Sequence, residues 1–202
     1  MELLTQLMKV PSAALCLFAL FSLLVALLKI KQVRLSVSMA ASSGLMLAMA
    51  VILTAFPFYR MPNGGSVTLG GMLPLFFISF AYGPEVGMLA GFAYSLMNLV
   101  MAPYILHPVQ VLFDYPLPFM ALGLAGCFPR HHMAGITAAV AVRLFFHFLS
   151  GVVFFGSYAP AGTSIYLYSF VTNLTYLLPN LVICLVFYRL LPVERFLSLM
   201  KR

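Results

Sequence analysis

Apolar stretches of about 17 to 25 residues, the length a helix needs to cross a bilayer, follow one another along almost the whole chain. That feature leaves few folds open, because backbone polar groups cannot stay unpaired in hydrocarbon and only helices or closed barrels span it. The stretches do not alternate with period two, as barrel strands do, so they read as helices. Charge agrees. Only 7% of the 202 residues are charged, against roughly 25% in a soluble domain. Four acids and eleven bases cannot cover a water-facing surface of this size, so the surface faces lipid and the fold class is all-α integral membrane. The net charge of +7 is not gathered on one soluble face, which argues against nucleic acid as a partner.

The spans are expected at Pro11 to Ile30, Leu35 to Phe56, Leu69 to Tyr82, Glu85 to Ala102, Leu112 to Phe128, Met133 to Gly156 and Ile165 to Leu191. Gly83-Pro84 predicts a tight hairpin between the third and fourth. A removable signal is the alternative reading of the first span, but no A-x-A-like cleavage site precedes Lys29, Lys31 and Arg34, which favours a retained helix. Threading the spans alternately puts Lys29, Lys31, Arg34, Arg130, Arg189, Arg195, Lys201 and Arg202 on one side, with Lys9 and Arg60 on the other. Bases in short loops mark the cytoplasmic side, so loops 57–68, 103–111 and 157–164 face outward. Arg143 is left over within a span, nearer the cytoplasmic half, and receives no ligand role. Ala40, Gly44 and Ala48, like Gly87 with Gly91 and Gly123 with Gly126, form small-residue stripes that suit either internal packing or docking of another membrane protein.

Ionisable and polar residues inside a membrane are the functional candidates. Tyr104, His107, Gln110, Asp114, Tyr115, His147, Tyr168 and Asn173 all fall near outer helix ends or in adjoining loops. They describe a pocket with one carboxylate and aromatic walls, suited to a small, cationic, partly aromatic ligand. His131 and His132, beside Arg130, read as solvated. Cys16, Cys127 and Cys184 lack metal-ligand spacing and read as small hydrophobes. No nucleophile elbow, metalloprotease helix motif or phosphate-cradling glycine loop is present, so the expectation is no enzyme, no catalytic residue, no metal and no cofactor.

The runs Leu69-Gly70 to Pro74, Tyr82-Gly83-Pro84, Gly87 to Gly91, Tyr104 to Gln110, Asp114-Tyr115-Pro116, Gly123 to Gly126, Phe145 to Phe148, Tyr168-Ser169 and Asn173 together resemble the substrate-binding S components of energy-coupling factor vitamin transporters, specifically the thiamin family. The resemblance covers about residues 34 to 190. It implies a six-helix bundle that captures thiamin from outside, in the cell membrane of a bacterium, and works with a coupling transmembrane subunit and two cytoplasmic ATPases. It implies ligand contacts at Asp114, Tyr115, His147, Tyr168, Asn173 and Tyr104, with Phe155 standing where relatives place a tryptophan and Gly65 or Ser66 near a second such place. The first span, residues 1–33, has no counterpart and reads as an extra N-terminal transmembrane helix beside the substrate-binding domain of residues 34–202, leaving the binding core untouched. The Ala40, Gly44, Ala48 stripe lies on the helix with which such proteins dock their coupling subunit. Because the chain has no tryptophan, a thiamin precursor or another small cationic vitamin is the alternative ligand. An intramembrane enzyme using Asp114 and His147, and a scaffold without ligand, are the competing classes.

Overall fold

The computed structural model describes residues 11–31, 33–62 and 64–201, so Lys9 and Arg202 of the topology argument lie outside the described residues. The apolar stretches become helices because a ladder within each segment satisfies the backbone without water. In chain order these are α1 (Pro11–Ile30), α2 (Val37–Ala55), an antiparallel hairpin of β1 (Tyr59–Arg60) and β2 (Ser66–Val67), α3 (Leu73–Tyr82), α4 (Pro84–Met101), α5 (Pro108–Asp114), α6 (Pro116–Ala121), a 3-10 segment Leu122–Cys127, α7 (His132–Phe154), α8 (Ile165–Leu190) and α9 (Val193–Met200). Among the described residues, Val37–Ala55, Pro108–Cys127, His132–Phe154 and Ile165–Leu190 are long and apolar enough to cross a membrane.

Two spans differ from the sequence expectation. The fifth is broken: Pro116 has no N–H to continue the ladder, and Tyr115 sits at φ −118°, ψ −80°, between α5 and α6. Asp114 is therefore the last residue of a seven-residue helix and not the start of a long one. The third is helical only from Leu73, ten residues in all, and the preceding irregular backbone lines a cavity, which is where non-helical backbone is tolerated at membrane depth. The expected turn at Gly83-Pro84 is present: Gly83 takes φ +94° and Pro84 opens α4.

Glycine brings α4 against α6 and the 3-10 segment backbone to backbone. A Cβ on Gly91 would collide with the Phe119 carbonyl, and one on Gly87 would lie 2.9 Å from the Gly123 Cα. Ala40, Gly44 and Ala48 behave otherwise: all three are exposed, and a Cβ on Gly44 would meet nothing within 4 Å. That stripe is an outer face, so internal packing does not explain it. His132 is also not simply solvated, since its ring stacks on Phe80 at 4.0 Å and its Nδ1 lies 2.7 Å from the Tyr188 hydroxyl.

Asn180, buried in α8, holds the outer hairpin. Its Oδ1 accepts from the Thr68 N–H and hydroxyl, both at 3.0 Å, while its Nδ2 donates to the Ser66 and Tyr176 carbonyls at 2.7 and 2.8 Å. At the opposite end, α9 lies across the bundle with Phe196 stacked on Phe77 at 5.9 Å and Met200 accepting a hydrogen bond from the Tyr82 hydroxyl.

Gly91→Val is expected to lower the thermal midpoint of the purified protein by ten degrees or more, because relief of the clash requires α4 and α6 to part. Gly44→Val, on the open face, is expected to leave the midpoint within two degrees of wild type in the same melting measurement.

Candidate ligand site

A cavity of about 500 Å³ opens between the outer ends of α2, α4, α7 and α8, the hairpin and the loop before α5. It lies at the end of the bundle opposite the basic loops, as the charge count predicts. Tyr104, Asp114, Tyr115, His147, Phe155, Tyr168 and Asn173 all line it. His107 does not; it caps α5 by accepting from the Val109 N–H at 3.1 Å and stacks on Phe154.

Asp114 is the carboxylate of this cavity among the described residues, with its side chain 18% exposed. The Gln110 Nε2, one turn earlier on α5, donates to its Oδ2 at 2.5 Å, and the His147 Nδ1 lies 3.4 Å from its Oδ1. Gln110 is wholly buried and also donates to the Tyr104 carbonyl and accepts from the Leu106 N–H, so it fastens the outer loop to the acid. On the far side of the imidazole, the His147 Nε2 is buried without a hydrogen-bond partner. A buried donor or acceptor left unmade is costly, and no group of the described residues bonds to this nitrogen.

The other residues divide by what they have left to offer. The Tyr115 hydroxyl is taken by backbone, donating to the Ala102 carbonyl at 2.9 Å and accepting from the Tyr104 N–H at 2.8 Å, so Tyr115 presents its ring. Asn173 is engaged as well: its Nδ2 donates to the His147 and Ser169 carbonyls and its Oδ1 accepts from the Tyr176 hydroxyl. It ties α8 to α7 beside His147. Tyr104 stacks on Phe155 with centroids 5.7 Å apart, forming an aromatic wall at the mouth where Tyr168 also lies. The Tyr104 phenol is pushed above its ordinary range by its hydrogen bond with Tyr158 and by partial burial. Gly65 and Ser66, in the hairpin, line the cavity.

Arg143, which received no ligand role from the sequence, also borders the cavity. It lines the inner end of the cavity, one turn below His147 on the same face of α7. Its guanidinium carbon sits 4.1 Å from the Phe119 ring centroid, and its Nε and Nη1 are buried without hydrogen-bond partners. Among the described residues it has no ion pair. The four-residue spacing of Arg143 and His147 already places both on one helix face, and the cavity reaches farther inward than the outer loops suggest. Tyr94, Tyr176, Asn98 and Thr54, which line the same inner end, carried no signal that separates them from ordinary packing.

A sequence profile of the thiamine transporter protein family matches residues 40–199. The chain belongs to that family. This thiamine transporter family member is 37% identical over 159 residues to the thiamine transporter ThiT of Bacillus subtilis (strain 168), a match covering 69% of this chain and 82% of the relative. It is 29% identical over 123 residues to the thiamine transporter ThiT of Lacticaseibacillus paracasei, covering 51% of this chain and 61% of the relative. Its fold is that of the solved structure of ThiT from Listeria monocytogenes, with a TM-score of 0.71 at 23% identity over 80% of this chain and 96% of that one. The all-α membrane bundle and the family expected from sequence agree with these matches.

Replacing Arg143 with methionine removes an unpaired buried cation, so the ligand-free protein is expected to gain on the order of 1 kcal/mol, read as a thermal midpoint a few degrees higher. A lower midpoint would mean that Phe119 alone repays the burial of the guanidinium.

Proposed function

We infer that this protein is the substrate-capturing subunit of a thiamin uptake transporter, a multi-pass protein of the cell membrane that binds thiamin from outside and is not an enzyme. The observation that carries the reading is the environment of Asp114: one carboxylate at the cavity wall, steadied by Gln110 and His147, under an aromatic mouth. Thiamin joins a permanently cationic thiazolium to an aminopyrimidine, and each part finds its complement. In this reading Asp114 is the counter-ion of the thiazolium, placed where hydrocarbon makes an unanswered charge costly. Tyr104, Phe155, Tyr168 and Tyr115 supply faces for flat rings and for a cation. The free His147 Nε2 and the Arg143 donors meet the acceptor atoms of the ring or of the hydroxyethyl tail. Phe155 takes up stacking that a tryptophan gives elsewhere in such proteins.

Family membership and the cavity support this reading, while the energy source lies outside the chain. No phosphate-cradling loop occurs in the sequence, so the protein is proposed to work with a coupling transmembrane subunit and two cytoplasmic ATPases. The exposed Ala40, Gly44 and Ala48 face of α2 is the proposed seat of that subunit, because small residues let helix backbones approach closely. The N-terminal segment, residues 1–33, is proposed as a unit added to the substrate-binding domain of residues 34–202.

Isothermal titration of purified protein with thiamin is expected to show tight binding without product. Asp114→Asn is expected to weaken it by roughly 100-fold or more, corresponding to about 3 kcal/mol for a buried charge that loses its partner. Equal affinity in the variant refutes the assignment, and tighter binding of the pyrimidine fragment alone would make that precursor the ligand. Gly44→Trp is expected to keep thiamin binding intact and to abolish uptake by cells; unimpaired uptake would move the docking seat elsewhere.

A further inference from the structure

The matched family region begins at residue 40, so α1 lies outside it. Yet α1 does not stand apart in lipid. Leu15 and Ala19 are buried in a cluster with Phe113, Leu117, Ala121 and Phe146, and Phe18, 39% exposed, lays its ring over Phe113 and Phe146 at the outer edge of the α5–α7 junction. The Phe18 ring stacks on Phe113 at 6.3 Å with an interplanar angle of 25°, and lies 6.2 Å from Phe146 and 6.3 Å, edge to face, from Phe145. Phe113 and Phe146 close the cluster at 6.1 Å from each other.

The registers of these rings matter. Phe113 directly precedes Asp114, and Phe146 directly precedes His147. Successive helix residues diverge by about 100°, so each pair turns a ring toward α1 and a polar group toward the cavity. The aromatic cluster and the Asp114–His147 contact are thus two sides of one α5–α7 junction. The polar side is a single 3.4 Å contact, too long to hold two helices in register. Nor does α5 have rigid support along the chain, since it is seven residues long and its ladder ends at Pro116. Packing on the lipid side has to set the spacing.

We propose that Phe18 of α1 is a positioning residue for the ligand site, clamping α5 to α7 from behind so that Asp114 and His147 meet at the distance the ligand requires. The proposal rests on the thiamin-capture reading for its functional consequence, but its geometric core does not need a ligand. It also revises the sequence expectation that the extra helix leaves the binding core untouched.

The test uses the full chain in lipid nanodiscs, with Phe18→Ala, Phe18→Leu and, as a lipid-facing control on the same helix, Leu24→Ala, whose residue is 54% exposed. Thiamin affinity is measured by titration, fold by thermal midpoint, and the imidazole of His147 by nitrogen NMR of histidine-labelled protein without ligand, its signal assigned by its loss in His147→Gln. Phe18→Ala is expected to weaken thiamin binding at least 10-fold and to shift the His147 Nδ1 resonance, with Phe18→Leu restoring most of both and Leu24→Ala changing neither. If Phe18→Ala lowers the midpoint yet leaves affinity and the resonance unchanged, α1 only stabilises the bundle and the proposal fails. Should Phe18→Ala not accumulate, Phe18→Val is read in the same way. Wild-type protein that binds no thiamin overturns the capture reading alone, because the ligand-free resonance still decides whether Phe18 sets the junction.

Discussion

A carboxylate held in hydrocarbon must be answered by its surroundings, and much of this molecule is arranged around answering Asp114. Gln110 reaches it from one turn away and spends its remaining hydrogen bonds on the outer loop, so the loop and the acid share one fastening. His147 answers from α7, and Asn173 in turn fixes α7 to α8 at the same depth. The break at Tyr115–Pro116 belongs to the same arrangement, because it turns the chain so that Asp114 ends one short helix while the Tyr115 hydroxyl holds the strand of chain around Ala102 and Tyr104.

The two flanks of the bundle are built differently. Where α4 meets α6 and the 3-10 segment, glycine lets backbones touch, and there is little side chain to rearrange. Where α1, α5 and α7 meet, contact is made by phenylalanine side chains instead of by backbone. The polar half of the site, Asp114 with His147, sits on the second flank.

How much of this was legible in the sequence follows from what kind of signal each feature leaves. Helix positions were readable because hydrocarbon admits only one solution for a long apolar stretch, and Gly83-Pro84 announced its turn through residues with restricted or unusual backbone freedom. Of the eight polar residues singled out for the pocket, all but His107 line one cavity, since polar side chains in such a chain are rare enough to stand out. Pro116 and Pro118 were equally visible, but whether a proline kinks a helix or ends it depends on the neighbouring packing. That the cavity reaches inward as far as Arg143 was not legible, because linear position does not reveal how deep a cavity penetrates. The outward face of Ala40, Gly44 and Ala48 and the stacking of His132 on Phe80 were hidden for a related reason: a stripe or a ring names its partners only in three dimensions.

The cavity has a floor. Its lining ends at Met72, Tyr94, Phe119, Arg143 and Asn180, and inward of these lie the fully buried Phe76, Ile78, Leu122 and Ile136, with α9 laid across the inner end. A solute that enters therefore meets a wall of close-packed hydrocarbon and must go back the way it came unless the helices themselves part. Taken alone, the bundle is a cup and not a conduit, and passage to the other side demands a rearrangement of the body itself and not a slide through it.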